Sequence, residues 1–96
     1  MELEIKIEQE GNNGNFHIEL EGRVIAQMTF FIEDKEQMVI DHTEVNPEFN
    51  GKGYGKRLVA KAVEFARETG LKIVPVCPFV KTVLSGKPDY RDVLCD

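Results

Sequence analysis

Residues 45–70 read VNPEFNGKGYGKRLVAKAVEFARETG, and the rest of the chain is organised around them. Gly51, Gly53 and Gly55 alternate through five positions, with Lys52, Lys56 and Arg57 beside them. Directly behind the glycines the apolar period becomes 3.6. Leu58, Val59, Ala62, Val63, Phe65 and Ala66 form one broad stripe, and Arg57, Lys61, Glu64, Arg67 and Glu68 lie largely outside it. The spacing predicts an amphipathic helix from Tyr54 to Thr69, with Gly70 as its C-terminal stop. Glycine lets the backbone take positive φ and approach a ligand with no Cβ in the way. A helix start leaves about four N–H groups unpaired and carries roughly half a positive charge. A glycine loop feeding a helix start is therefore an anion site, with phosphate its commonest guest.

Upstream of this stretch the period is two. Leu3, Ile5 and Ile7 alternate with Glu2, Glu4, Lys6 and Glu8, the pattern of a half-buried strand. Turn chemistry in residues 9–15 (QEGNNGN) leads to a second strand, with Phe16, Ile18 and Leu20 inward and His17, Glu19 and Glu21 outward. Glu21-Gly22 is a tight hairpin connection. The third strand, residues 23–32, is expected to put Val24, Ala26, Met28, Phe30 and Ile32 on one face. Ile25 and Phe31 on the other face predict that both sides are covered near its end. Residues 33–37 (EDKEQ) turn the chain into a fourth strand, residues 38–45. There, alternation places His42 with Met38, Ile40 and Glu44, opposite Asp41, Thr43 and Val45.

Short turns between these four strands predict an antiparallel meander. Downstream of the helix, residues 71–77 (LKIVPVC) form a fifth strand, set parallel to the fourth by the strand–helix–strand crossover. A short helix over residues 80–84 ends at Ser85-Gly86-Lys87-Pro88, and residues 90–94 make one more turn. The predicted class is α+β: a mostly antiparallel sheet of four strands, a helix, a parallel fifth strand and a short C-terminal helix, in one domain spanning residues 1–96.

Composition narrows the function. An apolar content of 42% with 30% charged residues is ordinary for a soluble domain with a single core. No apolar run approaches the roughly 18 residues of a membrane span, and Met1-Glu2 opens directly into a strand pattern. A cytoplasmic location with no membrane partner is expected. Cys77 and Cys95 allow at most one bridge, and nothing else suggests a secreted scaffold. The net charge of −5 hides an asymmetry. Residues 1–48 hold 3 Lys/Arg against 12 Asp/Glu (−9), and residues 49–96 hold 9 against 5 (+4). The basic excess coincides with the glycine loop and its helix, where a polyanionic cofactor would sit. Basic residues are not interleaved with aromatics, so nucleic acid is not an expected partner. Neither histidine has a second ligand at metal spacing, so no metal is expected.

The spacing excludes two phosphate loops. A P-loop has four residues between its first glycine and Gly-Lys-Ser/Thr; here there are three, and Arg57 follows Lys56. The dinucleotide fingerprint fails because Lys56 stands where its third glycine belongs. Asn50-Gly51-Lys52-Gly53-Tyr54-Gly55 is instead similar to R/Q-x-x-G-x-G/A, the pyrophosphate loop of the GNAT N-acetyltransferases, which use acetyl-CoA. Asn50 departs from the Arg or Gln of that pattern, which weakens a side-chain contact and leaves the backbone amides intact. The strand ending Thr43-Glu44-Val45, then Asn46-Pro47, the loop and the long helix also resemble the superfamily. The resemblance covers residues 20–84 and is specific over residues 41–79. The usual helices between the first two strands and the closing hairpin are missing, which implies a minimal GNAT-like fold. His42-Thr43-Glu44-Val45, the loop and Cys77-Pro78-Phe79 together resemble the small YjdJ-type group of predicted acetyltransferases.

The resemblance implies acetyl-CoA (coenzyme A) as cosubstrate and transfer of an acetyl group to an unidentified amine. Its cofactor contacts would be Val45, Asn50, Gly51, Lys52, Gly53, Tyr54, Gly55 and Lys56. Backbone around Val45 would pair with pantetheine amides like an added strand, and the loop amides would hold the pyrophosphate. The thioester then falls between residues 43–45 and 76–77. Three residues are catalytic candidates: Cys77, His42 and Glu44. Cys77 reads either as a small buried hydrophobe or as a thiol lining the acyl site, an acyl acceptor or a contact for the coenzyme sulfur. His42 reads as a general base for the attacking ammonium or as a hydrogen-bonded histidine against the helix. Glu44 is a second base or an ordinary strand carboxylate. The family's tyrosine acid has no counterpart in residues 80–84, and Tyr90 lies beyond a Gly/Pro break. Tyr54 is expected to pack on the helix or the coenzyme. His17 and Cys95, the latter at a frayed end, receive no role. The expected partner is a small-molecule or peptide amine, with the chain a monomer or weak homodimer. A noncatalytic acyl-CoA-binding or sensing module is the alternative.

Overall fold

The computed structural model describes residues 3–95. It contains β1 (Leu3–Glu10), β2 (Asn13–Leu20), β3 (Arg23–Glu33), β4 (Gln37–Val45), α1 (Tyr54–Thr69), β5 (Lys72–Pro75) and α2 (Pro78–Ser85). Two short 3-10 segments, Pro47–Phe49 and Pro88–Val93, complete it. The five strands form one sheet in the order β1-β2-β3-β4-β5, antiparallel through β4 and parallel between β4 and β5. This is the expected small α+β fold. Among the described residues no helix is long and apolar enough to cross a membrane.

The helix α1 occupies the span its pattern predicts. Leu58, Val59, Ala62, Val63 and Ala66 are all buried along its stripe, and Gly70 ends it at φ 76°. It packs on the inward face of the sheet, where Phe16, Ile18, Met28, Phe30, Met38 and Ile40 are buried. Phe16, Phe30 and Phe65 make a three-ring contact, with centroids 5.1, 5.7 and 6.0 Å apart. Val80 and Leu84 bring α2 onto the same core. The opposite face of the sheet carries mostly polar residues, and among the described residues no helix covers it; Val24 and Phe31 are exposed on it, and Val39 and His17 are buried.

Two β-bulges overturn the simple alternation read from the sequence. In the β2–β3 ladder the register runs Ile18↔Ala26 and then Glu19↔Val24, which leaves Ile25 as an extra residue on β3. An extra residue shifts every side chain beyond it to the other face. Ile25 is therefore buried and Val24 exposed, the reverse of the expectation, and Phe31 remains partly exposed on an uncovered face. In the β3–β4 ladder the register runs Phe30↔Ile40 and then Thr29↔His42, so Asp41 is the extra residue. The Thr29 hydroxyl donates to its carboxylate at 2.6 Å. Beyond this bulge Thr43 joins the face of Ile40, and His42 faces away from the helix. The expected pairing of His42 with Ile40 is thus wrong, and so is the reading of His42 as packed against α1.

Residues 88–95 are tied down more firmly than a frayed end. Leu94 bridges to Ile73, the Cys95 N–H donates to the Ile73 carbonyl at 2.9 Å, and Gln37 Nε2 donates to Cys95 Sγ at 3.3 Å. Arg67 holds Asp92 with two hydrogen bonds, at 2.8 and 2.9 Å, and reaches the Asp89 carbonyl. This pairing holds the Asp92 carboxyl below its ordinary pKa. His17 is also a correction in part: it lies on the polar face as expected, yet it is buried. Its ring nitrogens lie 2.9 Å from Asn15 Oδ1 and 3.0 Å from Glu19 Oε2.

Candidate functional site

The site begins where β4 and β5 part. Pairing between them ends at Ile40↔Pro75, one residue before the Asp41 bulge. The N–H groups of Val76 and Cys77 both donate to the Ile40 carbonyl at 3.0 Å, and β5 then turns away. Pro75 and Pro78 bracket that turn and cannot donate to a ladder. Among the described residues no strand pairs with residues 41–45 of β4 on this side, which leaves a free edge that reaches Val45.

The chain leaves β4 through a pinned turn. The Asn46 N–H donates to the Ile25 carbonyl at 2.8 Å, and its side-chain oxygen accepts the Glu48 N–H at 3.0 Å. A 3-10 turn follows at Pro47–Phe49, and Phe49 packs 6.1 Å from the Tyr54 ring. Gly51 and Gly53 adopt φ of 78° and 80°, the left-handed region that favours glycine. Gly53 is the N-cap of α1 and has no side chain with which to cap it. The N–H groups of the first helical turn thus remain open to an anion, with Lys52 and Lys56 exposed beside them.

A cavity of about 570 Å³ lies against this loop, within the usual size of a small-molecule site. Val45, Asn50, Gly51, Gly53, Tyr54, Gly55 and Lys56 line it, so seven of the eight cofactor contacts expected from sequence share one cavity. Lys52 is not on its wall. Thr43, Phe49 and Phe79 complete the lining. Phe49 was invisible to sequence reasoning, because its place depends on the 3-10 turn that swings it onto Tyr54.

The three catalytic candidates do not converge. Cys77 is buried, does not line the cavity, and donates its thiol to the Thr43 hydroxyl at 3.5 Å. It closes no strand; it is the N-cap of α2, with Pro78 at the first helical position. Burial would push the thiol up. The Val80 N–H, the Thr43 hydroxyl and the N–H groups of Phe79 and Thr43 outweigh it and hold the pKa below the ordinary thiol value. The Pro directly after Cys77 was the sequence signal for this cap. His42 and Glu44 stand together on the polar face of the sheet, both exposed, with Nε2 and Oε2 3.8 Å apart. Tyr90 lies in the second 3-10 turn, half-buried against the core and under Lys87 Nζ at 5.7 Å, away from the cavity lining. Among the described residues no group of three His, Cys, Asp or Glu is arranged to hold a metal.

Comparison with known proteins identifies the family. Residues 15–93 match the family model of the GCN5-related N-acetyltransferases. Protein NATD1 of Xenopus tropicalis is 27% identical over 88% of this chain and 78% of its own length. The solution structure of a GCN5-like protein from Staphylococcus aureus is 39% identical and covers 96% of this chain and 87% of its own, with a TM-score of 0.75. An acetyltransferase of Elizabethkingia anophelis, solved with acetyl-CoA bound, shares the fold at 14% identity and a TM-score of 0.66, over 76% of this chain and 63% of its own. The chain belongs to the GCN5-related N-acetyltransferase family.

Proposed function

We propose that this protein transfers the acetyl group of acetyl-CoA to an amine. One observation carries the reading: a single cavity joins a free strand edge, a positive-φ glycine loop at an uncapped helix start, and the Thr43 hydroxyl that meets Cys77. Backbone amides over residues 51–56 would hold the pyrophosphate, with Lys52 and Lys56 adding charge. The free edge near Val45 would pair with the pantetheine amides. The thioester then reaches Thr43, next to the Cys77 sulfur.

The amine nitrogen attacks the thioester carbonyl, a C–N bond forms, the C–S bond breaks, and coenzyme A leaves as a thiolate. The ammonium proton passes to His42 or Glu44, which the Asp41 bulge presents on the opposite face of the sheet from the cavity. Coenzyme and acceptor would thus approach the gap from opposite sides. Cys77 would meet the coenzyme sulfur through its neighbour Thr43, which lines the cavity and accepts the Cys77 thiol at 3.5 Å. In a relay, the Cys77 thiolate would attack the same carbonyl, expel coenzyme A, and pass the acetyl group to the amine. Direct attack needs no such intermediate. The acidic N-terminal half favours a cationic acceptor, such as a protein amino terminus, a lysine side chain or a polyamine.

A second reading, a noncatalytic acyl-CoA-binding module, is favoured by one feature. The tyrosine that would protonate the departing thiolate is absent from α2, and Tyr90 is packed elsewhere. Mass spectrometry of the native and denatured protein, with and without acetyl-CoA, tests both. A noncovalent complex together with acetylation of spermidine or a lysine peptide supports transfer. A complex without turnover supports the module, and no complex removes both.

A further inference from the structure

The three loop glycines are glycine for two different reasons. Gly51 and Gly53 hold positive φ, and the space where their Cβ atoms would stand is open. Gly55 is buried in the first turn of α1 without positive φ. A Cβ built on it would stand 2.7 and 2.9 Å from two ring carbons of Phe79, well inside the roughly 3.5–4.0 Å of a normal carbon contact. Phe79 sits in the first turn of α2, whose pose is fixed by the buried Val80 and Leu84. Its ring lies against Gly55, lines the cavity, and is still 40% exposed.

We propose that Phe79 sets the width of the slot through which the coenzyme arm passes, and that Gly55 is glycine so that this ring can lie back against α1. The inference rests on the coenzyme reading given above. Coenzyme A is an adenosine 3′-phosphate 5′-pyrophosphate joined to a pantetheine arm. The arm starts with a gem-dimethyl group beside the pyrophosphate and ends at the sulfur. With the pyrophosphate at the loop and the sulfur at Thr43 and Cys77, the arm crosses the Phe79 ring. The ring's open face takes the gem-dimethyl group, the one bulky apolar part of the arm. A side chain at position 55 would drive the ring forward and narrow the slot.

Calorimetry with coenzyme A and with adenosine 3′-phosphate 5′-diphosphate (the same nucleotide with its whole pyrophosphate and no arm), which ends before the ring, separates this role from that of the loop. Phe79→Ala is expected to weaken coenzyme A about tenfold, the worth of burying two methyl groups, and to leave the armless nucleotide within twofold of wild type. Gly55→Ala is expected to weaken coenzyme A and lower the melting temperature. Combining it with Phe79→Ala restores the melting temperature, because the clash partner is gone. If wild type binds both ligands and Phe79→Ala binds them equally well, or loses both to the same degree, the inference on Phe79 is overturned while the coenzyme reading stands. If Gly55→Ala melts and binds like wild type, the ring yields freely and the inference is again overturned. If wild type binds neither ligand, the coenzyme reading itself fails and takes this one with it.

Discussion

Replacing Cys77 by serine separates what the fold needs at this position from what chemistry would need. Cys77 has the extended φ and ψ of an N-cap (−66° and 123°), stands before Pro78, and faces the Phe79 and Val80 N–H groups, which favour its thiolate, without closing a full side-chain cap hydrogen bond. A serine oxygen at an N-cap accepts such a bond and is worth about 0.5–2 kcal/mol over alanine. Against that gain stands the lost burial of a sulfur atom, comparable to one buried methylene at about 0.8 kcal/mol. Cys77→Ser should therefore lie within about 1 kcal/mol of wild type, or about 4–8 °C in Tm for a chain of this size. Cys77→Ala loses the packing and gains no cap, and should fall about 1–2 kcal/mol below wild type. Urea unfolding of the three proteins gives the order wild type and serine together, alanine lower. Oxidised coenzyme A should then form a mixed disulfide at Cys77 of wild type in preference to Cys95, located by peptide mapping. A serine variant less stable than the alanine variant would refute the cap assignment. A disulfide found only on Cys95, or a serine variant with unchanged turnover, would return Cys77 to the core.

The other predictions follow from single features of the structure. Gly53→Asn should fold almost as well as wild type, because asparagine tolerates the left-handed φ, whereas Gly53→Val should distort the loop and abolish coenzyme binding by calorimetry. Alkylation of Cys77 by iodoacetamide should show a midpoint at lower pH in the folded protein than in the urea-unfolded chain. Because the folded pKa is depressed, the thiolate's contribution to stability is present above the unfolded thiol pKa and lost as pH falls through the folded one. Wild type should thus gain on Cys77→Ser as pH rises through the thiol range, measured by urea midpoints. Arg67→Ala should loosen residues 88–95, seen as faster amide exchange. Its deficit against wild type should be full above the unfolded Asp92 pKa and vanish as pH falls through the depressed folded one. His42→Gln or Glu44→Gln should leave coenzyme affinity unchanged, since neither lines the cavity, and lower turnover at limiting pH for the residue that takes the proton.

The fold was legible wherever one physical period governed a segment. The boundaries of α1 followed from its stripe and from Gly70, and the antiparallel meander followed from short turns. The seven cavity residues of the loop region were legible because loop and helix start are contiguous in sequence. Legibility failed where contact across strands decides. A bulge is a property of a ladder: Ile25 and Asp41 are extra only relative to the partner strands that skip them. Nothing in either sequence neighbourhood marks them, and each reverses the faces beyond it. At β3 the cost is a misplaced core residue. At β4 it is the organisation of the site. Had alternation continued through Asp41, His42 would point toward α1 and Thr43 away from it, and the Thr43 hydroxyl would not reach Cys77. With one residue inserted, Thr43 and Val45 turn to the cavity while His42 and Glu44 turn to the polar face. The same residue stands where β5 releases β4, so the bulge both opens the strand edge and sorts the side chains around it. A thioester lying along that edge would have its sulfur near Cys77 on one side of the sheet and a proton acceptor on the other.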